Sequence, residues 1–209
     1  MTQTPEKVIL GIDPGTSVLG YAAVRMCGKK CEMLAMGVID LRKCKDVYLK
    51  LGRILERVAS LMDAFHPNEI AVEAPFCGKN VQSMLKLGRA QGVVIAAAMM
   101  RDIPIFEFAP LKIKQTVTGN GLATKEQVKR MLVRLMKLDE EKLLPYYDAT
   151  DALAVAYCRY LESIPGSLAA KTLNTGETHK NKKSSWADFA AMHPERINSN
   201  PTLRNNKKI

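Results

Sequence analysis

Acidic residues stand at the ends of the apolar segments of this chain. Asp13 directly follows a buried-type apolar run and precedes a Pro-Gly turn, and Glu73 closes a second, shorter run. Asp148 and Asp151 lie three residues apart at the start of an apolar helical segment, which places them on one face of that helix. Such a chain has to bury its apolar segments while it leaves their charged ends accessible.

Apolar periodicity predicts an alternation of strands and helices. Three strands come first: the second and third form a hairpin, which pairs with the first strand. Helices and strands alternate after them. This order predicts an α/β fold with a mixed five-stranded sheet and helices on both faces. The predicted strands are 7–13, 18–26, 31–39, 69–73 and 103–108, and the predicted helices are 49–65, 81–100, 111–117, 125–136 and 148–161.

The strand ends are where the site should lie. In open α/β sheets, active sites form beyond the carboxyl ends of the strands. Asp13 and Glu73 both occupy such ends, so we expect them to converge. Two local predictions accompany this one: Thr124 and Gln127 form a capping box, and the pair 146–147, both Tyr, lies in the core.

Four carboxylates in one small volume repel each other, and some of them stay protonated unless a cation lies among them. Oxygen ligands suit a hard divalent ion such as Mg²⁺ or Mn²⁺. The chain as a whole is basic, with a formal charge of +10, which favours a polyanionic partner such as nucleic acid. Simpler interpretations remain for single residues: Asp13 could make an Asx-turn, and Asp148 could be only a helix N-cap.

The last part of the chain differs in composition from the rest. Residues 165–209 hold eight Lys or Arg against three acids and are rich in Asn, Ser and Thr. We predict one domain over 1–164 and a basic, flexible C-terminal tail over 165–209. Five irregularly spaced cysteines predict free thiols. Together with apolar runs too short to span a bilayer, they predict a cytoplasmic protein with no membrane contact.

Six blocks of sequence occur in the order seen in the RuvC family of bacterial crossover junction endodeoxyribonucleases. The resemblance extends over residues 7–163. It implies a ribonuclease-H-like fold and a homodimer that resolves Holliday junctions by paired nicks in strands of like polarity, during homologous recombination and DNA repair. The matching blocks are 8–15, 71–73, 79–80, 85–92, 114–121 and 148–152.

The resemblance also implies the catalytic and metal-binding residues. The four acids would bind two Mg²⁺ ions, for which Mn²⁺ can substitute. These residues are Asp13, Glu73, Asp148 and Asp151.

Further positions match family residues that contact DNA or a second subunit. Lys114 and Lys125 match basic residues that contact DNA, and Phe76 matches an aromatic residue that stacks at the junction centre. Gly88 and Gly92 match the dimer-forming helix, although a glycine pair facing the protein's own core is the simpler alternative. The partners implied are four-way junction DNA, a second copy of the chain, and the RuvA and RuvB branch-migration proteins.

Three other classes compete with this interpretation. An actin-like or sugar-kinase ATPase shares a Gly-Asp-Gly-Thr type loop after its first strand, but such proteins duplicate the domain and this chain has one copy. A nuclease that processes ribosomal RNA precursors has the same fold but a shorter chain. A DNA-binding module without catalysis would not need all four acids.

Overall fold

The structure is a computed structural model that describes residues 6–75, 80–140 and 145–164. All ten predicted elements are confirmed, with ends that differ by no more than two residues from the prediction. The strands are β1 (Lys7–Asp13), β2 (Val18–Cys27), β3 (Lys30–Asp40), β4 (Glu69–Glu73) and β5 (Ile105–Phe108). The helices are α1 (Val47–Phe65), α2 (Val81–Met99), α3 (Pro110–Thr118), α4 (Lys125–Met136) and α5 (Tyr147–Ser163).

The five strands form one mixed sheet in the order β3-β2-β1-β4-β5. The first three strands pair antiparallel, whereas β1, β4 and β5 run parallel. Ile12 of β1 pairs with Val72 of β4, so the two strands end side by side. The predicted fold class is therefore confirmed.

Each face of the sheet carries its own apolar cluster, because side chains of a strand point alternately to opposite faces. In β4, Ala71 belongs to the cluster that α5 fills, whereas Ile70 and Val72 belong to the cluster beneath α1 and α2. Helix α5 is the most deeply buried helix, with eleven buried residues. The prediction of helices on both faces is confirmed.

Two glycines let α5 approach the sheet backbone. A Cβ atom added to Gly20 of β2 would lie 1.9 Å from the carbonyl oxygen of Asp148, and one added to Gly11 of β1 would lie 2.3 Å from that of Ala152. Glycine inside a strand often marks such a close approach. The start of α5 is thus fixed directly above the end of β1 and the start of β2.

Of the two local predictions, one is confirmed and one is wrong. At the start of α4, the Gln127 amide donates to Thr124 Oγ1 and the Thr124 amide donates to Gln127 Oε1, which completes the capping box. Tyr146 and Tyr147 are not in the core, because 41% and 45% of their surfaces are exposed. They precede the first buried turn of α5, and the Tyr147 hydroxyl donates to Glu126 at 3.0 Å.

Two predictions fall outside the described residues: the role of Phe76 and the basic tail 165–209. Within the described ranges, no helix combines the length and apolar character needed to cross a membrane.

Candidate active site

The ends of two neighbouring parallel strands place Asp13 beside Glu73. The register of β1 on β4 continues to Ile12 opposite Val72, so the next residue of each strand is one of the two acids. Both carboxylates are half-buried. Their convergence, expected from the sequence, follows from the parallel pairing.

Helix α5 brings the other two acids to the same place. Its N-cap is Tyr146, and no side chain caps it, so Asp148 is not the N-cap that the simpler interpretation required. Gly20 lies opposite Asp13 in the β1–β2 ladder and also contacts the backbone of Asp148. The helix contact and the strand pairing therefore position Asp148 and Asp151 over Asp13.

The electrostatics reveal how closely these acids interact. Burial, with the charges of Glu73, Asp151 and Asp148, raises the pKa of Asp13 from 3.8 to about 8, although Lys125 opposes the shift. Burial and the charge of Asp151 raise the pKa of Glu73 from 4.5 to about 7. In a site of this kind, not all of the carboxyl groups can be ionised at neutral pH.

A lysine lies among the acids. Lys125, the first residue of α4, donates a hydrogen bond to the carboxylate of Asp151. Burial raises the pKa of Asp151 even so, against the effect of Lys125. Burial alone would lower the pKa of Lys125, but the hydrogen bond to Asp151 and the charges of Asp13 and Asp148 outweigh it and raise the pKa. The ammonium group is therefore a firmly charged cation within the cluster.

Two depressions meet at the paired strand ends. A cavity of about 510 Å³ is lined by Asp13, Glu73 and Asp151 together with Lys114 and Lys125. A second one of about 280 Å³ is also lined by Asp13 and Glu73, and it adds Asp148. The structure thus brings all four acids and both predicted lysines together. The remaining lining residues of the larger cavity include Pro110, Leu111, Ile113, Gly121, Leu122, Val128 and Ala154.

The four acids are chemically suited to bind a hard divalent cation. Among the residues that the structure describes, no three Asp, Glu, His or Cys side chains are arranged to hold a metal ion as they stand. However, the donors are all carboxylate oxygens, which Mg²⁺ and Mn²⁺ prefer. A bound cation would also lower the raised pKa values of Asp13 and Glu73. In the structure, the ammonium groups of Lys125 and Lys114 partly balance this charge.

The glycines of α2 do not face the core. Gly88 and Gly92 are exposed, and a Cβ atom added to either would meet nothing within 4 Å. The alternative in which they pack against the protein's own core is therefore wrong. Their surface is available to another molecule.

Sequence reasoning missed two features of the site. Gly11 and Gly20, which seat α5, were not singled out, although glycine within an apolar strand is a recognisable signal. Leu111 and Leu122 line the cavity with the acids, and no pattern in the sequence distinguishes them from ordinary loop and helix residues.

Taken together, the mixed sheet, the acids at the ends of β1 and β4, and the two acids on the last described helix define a ribonuclease-H-like nuclease. The model of the family "Crossover junction endodeoxyribonuclease RuvC" matches residues 9–159. A protein of that name from Bacteroides fragilis is 54% identical over 192 residues, which cover 92% of this chain and 96% of the relative. One from Porphyromonas gingivalis is 49% identical over 192 residues, covering 92% and 97%.

The fold comparison agrees. RuvC of Thermus thermophilus in complex with a Holliday junction substrate matches with a TM-score of 0.65 at 32% identity, covering 72% of this chain and 90% of that one. The chain belongs to the RuvC family of crossover junction endodeoxyribonucleases. Nucleases of this family are metal-dependent in general. Family membership decides against the ATPase and the ribosomal-RNA nuclease considered above.

Proposed function

We propose that this protein resolves Holliday junctions by paired, metal-dependent nicks in strands of like polarity, in homologous recombination and DNA repair. One observation carries the proposal: four carboxylates from β1, β4 and α5 meet around Asp13, whose pKa is raised to about 8. Buried acids with strongly raised pKa values cost stability, and such groups cluster at functional sites. Membership of the RuvC family supports the substrate.

The proposed cofactor is a pair of Mg²⁺ ions, which Mn²⁺ can replace, held by Asp13, Glu73, Asp148 and Asp151. Ions held there would supply Lewis-acid chemistry, namely activation of a water molecule and stabilisation of the leaving 3′ oxygen of the phosphodiester. Asp13 and Glu73 line both depressions, which supports a role for them as the ligands that the two sides of the site share.

The lysines supply positive charge that would bind the phosphates of the DNA backbone. Lys114 and Lys125 line the cavity that holds Asp13, Glu73 and Asp151. Lys125 pairs with Asp151, and its ammonium would bind a phosphate oxygen once other cations balance the acids. The same side chain would thus neutralise the acids in the free protein and the phosphate in the complex.

The decisive test is Asp13→Asn, assayed for nicking of a mobile four-way junction in Mg²⁺ and, separately, for junction binding. We expect nicking to be abolished and binding to be largely retained, because the substitution removes a ligand and leaves the basic surface intact. Normal nicking by the variant would overturn the assignment of the acids. Failure of the unaltered protein to nick junctions would leave only the non-catalytic DNA-binding alternative.

Phe76, which follows the described end of β4 closely in sequence, is proposed to stack on a base at the junction centre. Base stacking on an aromatic side chain contributes about 1–3 kcal/mol. Phe76→Ala should therefore reduce junction resolution more than it reduces binding to linear duplex. Equal losses of both would argue against a junction-specific role.

The proposed assembly is a homodimer formed through α2. Its surface around Gly88 and Gly92 is open, and Val81 and Leu85 of the same helix are 59% and 52% exposed. Small residues flanked by apolar ones allow two helices to approach closely, which supports this surface as the dimer contact.

RuvA and RuvB are the proposed protein partners, on the strength of family membership alone. The proposed compartment is the cytoplasm, supported by free cysteines at 27, 31, 44 and 158.

A further inference from the structure

An apolar wall borders the acidic cavity. Leu122 lies in the α3–α4 loop (residues 119–124) and is 84% exposed, and Leu111 in the first turn of α3 is 56% exposed. Both line the cavity that contains Asp13 and Glu73. Single exposed leucines are common on protein surfaces, but two leucines that share one cavity with reactive carboxylates are a distinct feature.

Hydrogen bonds fix the loop that presents Leu122. The Gln115 side chain donates to the Gly119 carbonyl at 2.7 Å and accepts from the Gly121 amide at 2.9 Å. The Leu122 amide donates to Asn120 Oδ1 at 2.9 Å. These bonds hold the loop backbone in place on both sides of the Leu122 side chain, which lines the cavity and is exposed to solvent. The exposure of Leu122 is thus built into the loop rather than the result of a loose segment.

Gly121 brings the two leucines into one surface. A Cβ atom at this position would lie 2.5 Å from Cδ2 of Leu111, so a larger residue here would push the Leu111 side chain aside. Leu122 follows Gly121 directly in the chain, and both leucines line the same cavity; we name this pair the leucine wall.

The charged and apolar parts of the cavity match the parts of a nucleotide. Carboxylates with their cations and the ammonium groups of Lys114 and Lys125 suit a phosphate, whereas the leucine wall suits the apolar parts of a base, which are its face and, in thymine, the methyl group on its edge. Base faces are covered by neighbouring bases in a continuous duplex, and exposing one costs least where pairing or stacking is already interrupted. The branch point of a junction is such a place.

We propose that the leucine wall contacts the base next to the phosphate that is cut, and that Leu122 thereby positions the strand and contributes to sequence preference. This inference rests on the proposed junction cleavage. Apolar contact with a base edge, such as the thymine methyl group, is an established source of base discrimination.

The test combines Leu122→Ser with junctions that lack the base on either side of the cleaved phosphate. In single-turnover nicking, we expect Leu122→Ser to be roughly tenfold slower on intact junctions, as suits the loss of an apolar contact of this size. Removal of the contacted base should slow the unaltered protein by a similar factor. It should slow Leu122→Ser little further, because the contact is already gone. The preference among flanking nucleotides should weaken in the same variant.

Two controls separate this contact from general damage. Leu122→Met keeps an apolar side chain and should retain the rate within about twofold. Leu49→Ser makes the same chemical change at a residue that is 66% exposed on α1, a helix that packs on the other face of the sheet, and it should leave nicking unchanged.

Three results would overturn the inference. One is an unchanged rate for Leu122→Ser. Another is that base removal slows Leu122→Ser by the same factor as it slows the unaltered protein, so that the two losses multiply. The last is a changed oligomeric state with normal nicking, which would mean that protein rather than DNA covers the wall. All three require that the unaltered protein nicks junctions, so they differ from a failure of the proposed function, in which it does not.

Discussion

Replacing Asp13 by Asn should stabilise the metal-free protein at alkaline pH, even though it destroys the proposed activity. The pKa of Asp13 is raised from 3.8 to about 8. Between these values the folded protein retains a proton that the unfolded chain releases. The stability of the fold therefore decreases as the pH rises from about 4 to about 8, and it levels off above. Asn has no charge to lose, so the variant escapes this decrease.

The size of the effect follows from the shift. Each tenfold change in proton affinity corresponds to about 1.4 kcal/mol, so the unaltered protein loses on the order of 5 kcal/mol at pH 8 through this residue. The buried amide of Asn has its own desolvation cost of about 1–3 kcal/mol. A net stabilisation of about 2–4 kcal/mol remains, which raises the melting temperature by roughly 5–15 °C in a domain of this size.

The assay is thermal unfolding in a chelating buffer at pH 4.5 and pH 8.5. The variant should melt higher than the unaltered protein at pH 8.5 and close to it at pH 4.5. A matched control is Asp46→Asn, because Asp46 caps the exposed start of α1 and Asn caps a helix equally well. Adding Mg²⁺ at pH 8.5 should raise the melting temperature of the unaltered protein by mass action and that of Asp13→Asn much less.

Two outcomes would contradict this prediction: melting temperatures of the two proteins that change with pH in parallel, or an Asp13→Asn variant that is the less stable protein at pH 8.5. Either result would mean that Asp13 is not held among like charges as the structure indicates.

Three further predictions concern the same site. Gly20→Ala should cost about 3 kcal/mol of stability in thermal unfolding, because the new methyl group meets the backbone of Asp148. If the methyl group shifts α5 by about 1 Å, nicking should also slow roughly a hundredfold in a nicking assay. Lys125→Ala should tighten Mn²⁺ binding several-fold in calorimetry, since the ammonium no longer competes for Asp151, while nicking slows by about 10–100-fold for want of a phosphate contact. Gly88→Glu should shift the protein towards monomer in analytical ultracentrifugation without lowering its melting temperature, because the position is open.

Each of these has an outcome that contradicts it. Gly52 on α1 also has nothing within 4 Å of an added Cβ, so Gly52→Ala is the control for Gly20→Ala, and equal effects of the two would refute the close-approach argument. Unchanged or weaker Mn²⁺ binding by Lys125→Ala would show that the lysine does not compete with metal. A fully dimeric Gly88→Glu variant would place the dimer contact elsewhere.

The sequence predicted the elements well because their patterns are local. The strand over 69–73 and the helix over 125–136 were placed to the residue, since apolar runs and a capping box mark their ends. The convergence of Asp13 and Glu73 could also be foreseen, because parallel neighbours end at one edge of a sheet.

What could not be foreseen depends on contacts between distant segments. The pairing of Lys125 with Asp151 arises only when α4 packs beside α5, and no spacing in the chain encodes it. The prediction that Tyr146 and Tyr147 are buried is wrong. Aromatic residues next to an apolar helix suggest burial, but the first buried turn of α5 begins after them.

The position of α5 in the chain has a consequence for biosynthesis. Asp13 and Glu73 leave the ribosome early, but Asp148 and Asp151 belong to the last described helix, which also fills the core on its side of the sheet. A nascent or prematurely terminated chain that lacks α5 therefore has only two of the four acids of the site, and its core is uncovered on the α5 side of the sheet. Catalytic competence and completion of this core therefore arrive in the same step, once α5 has been synthesised and has packed on the sheet.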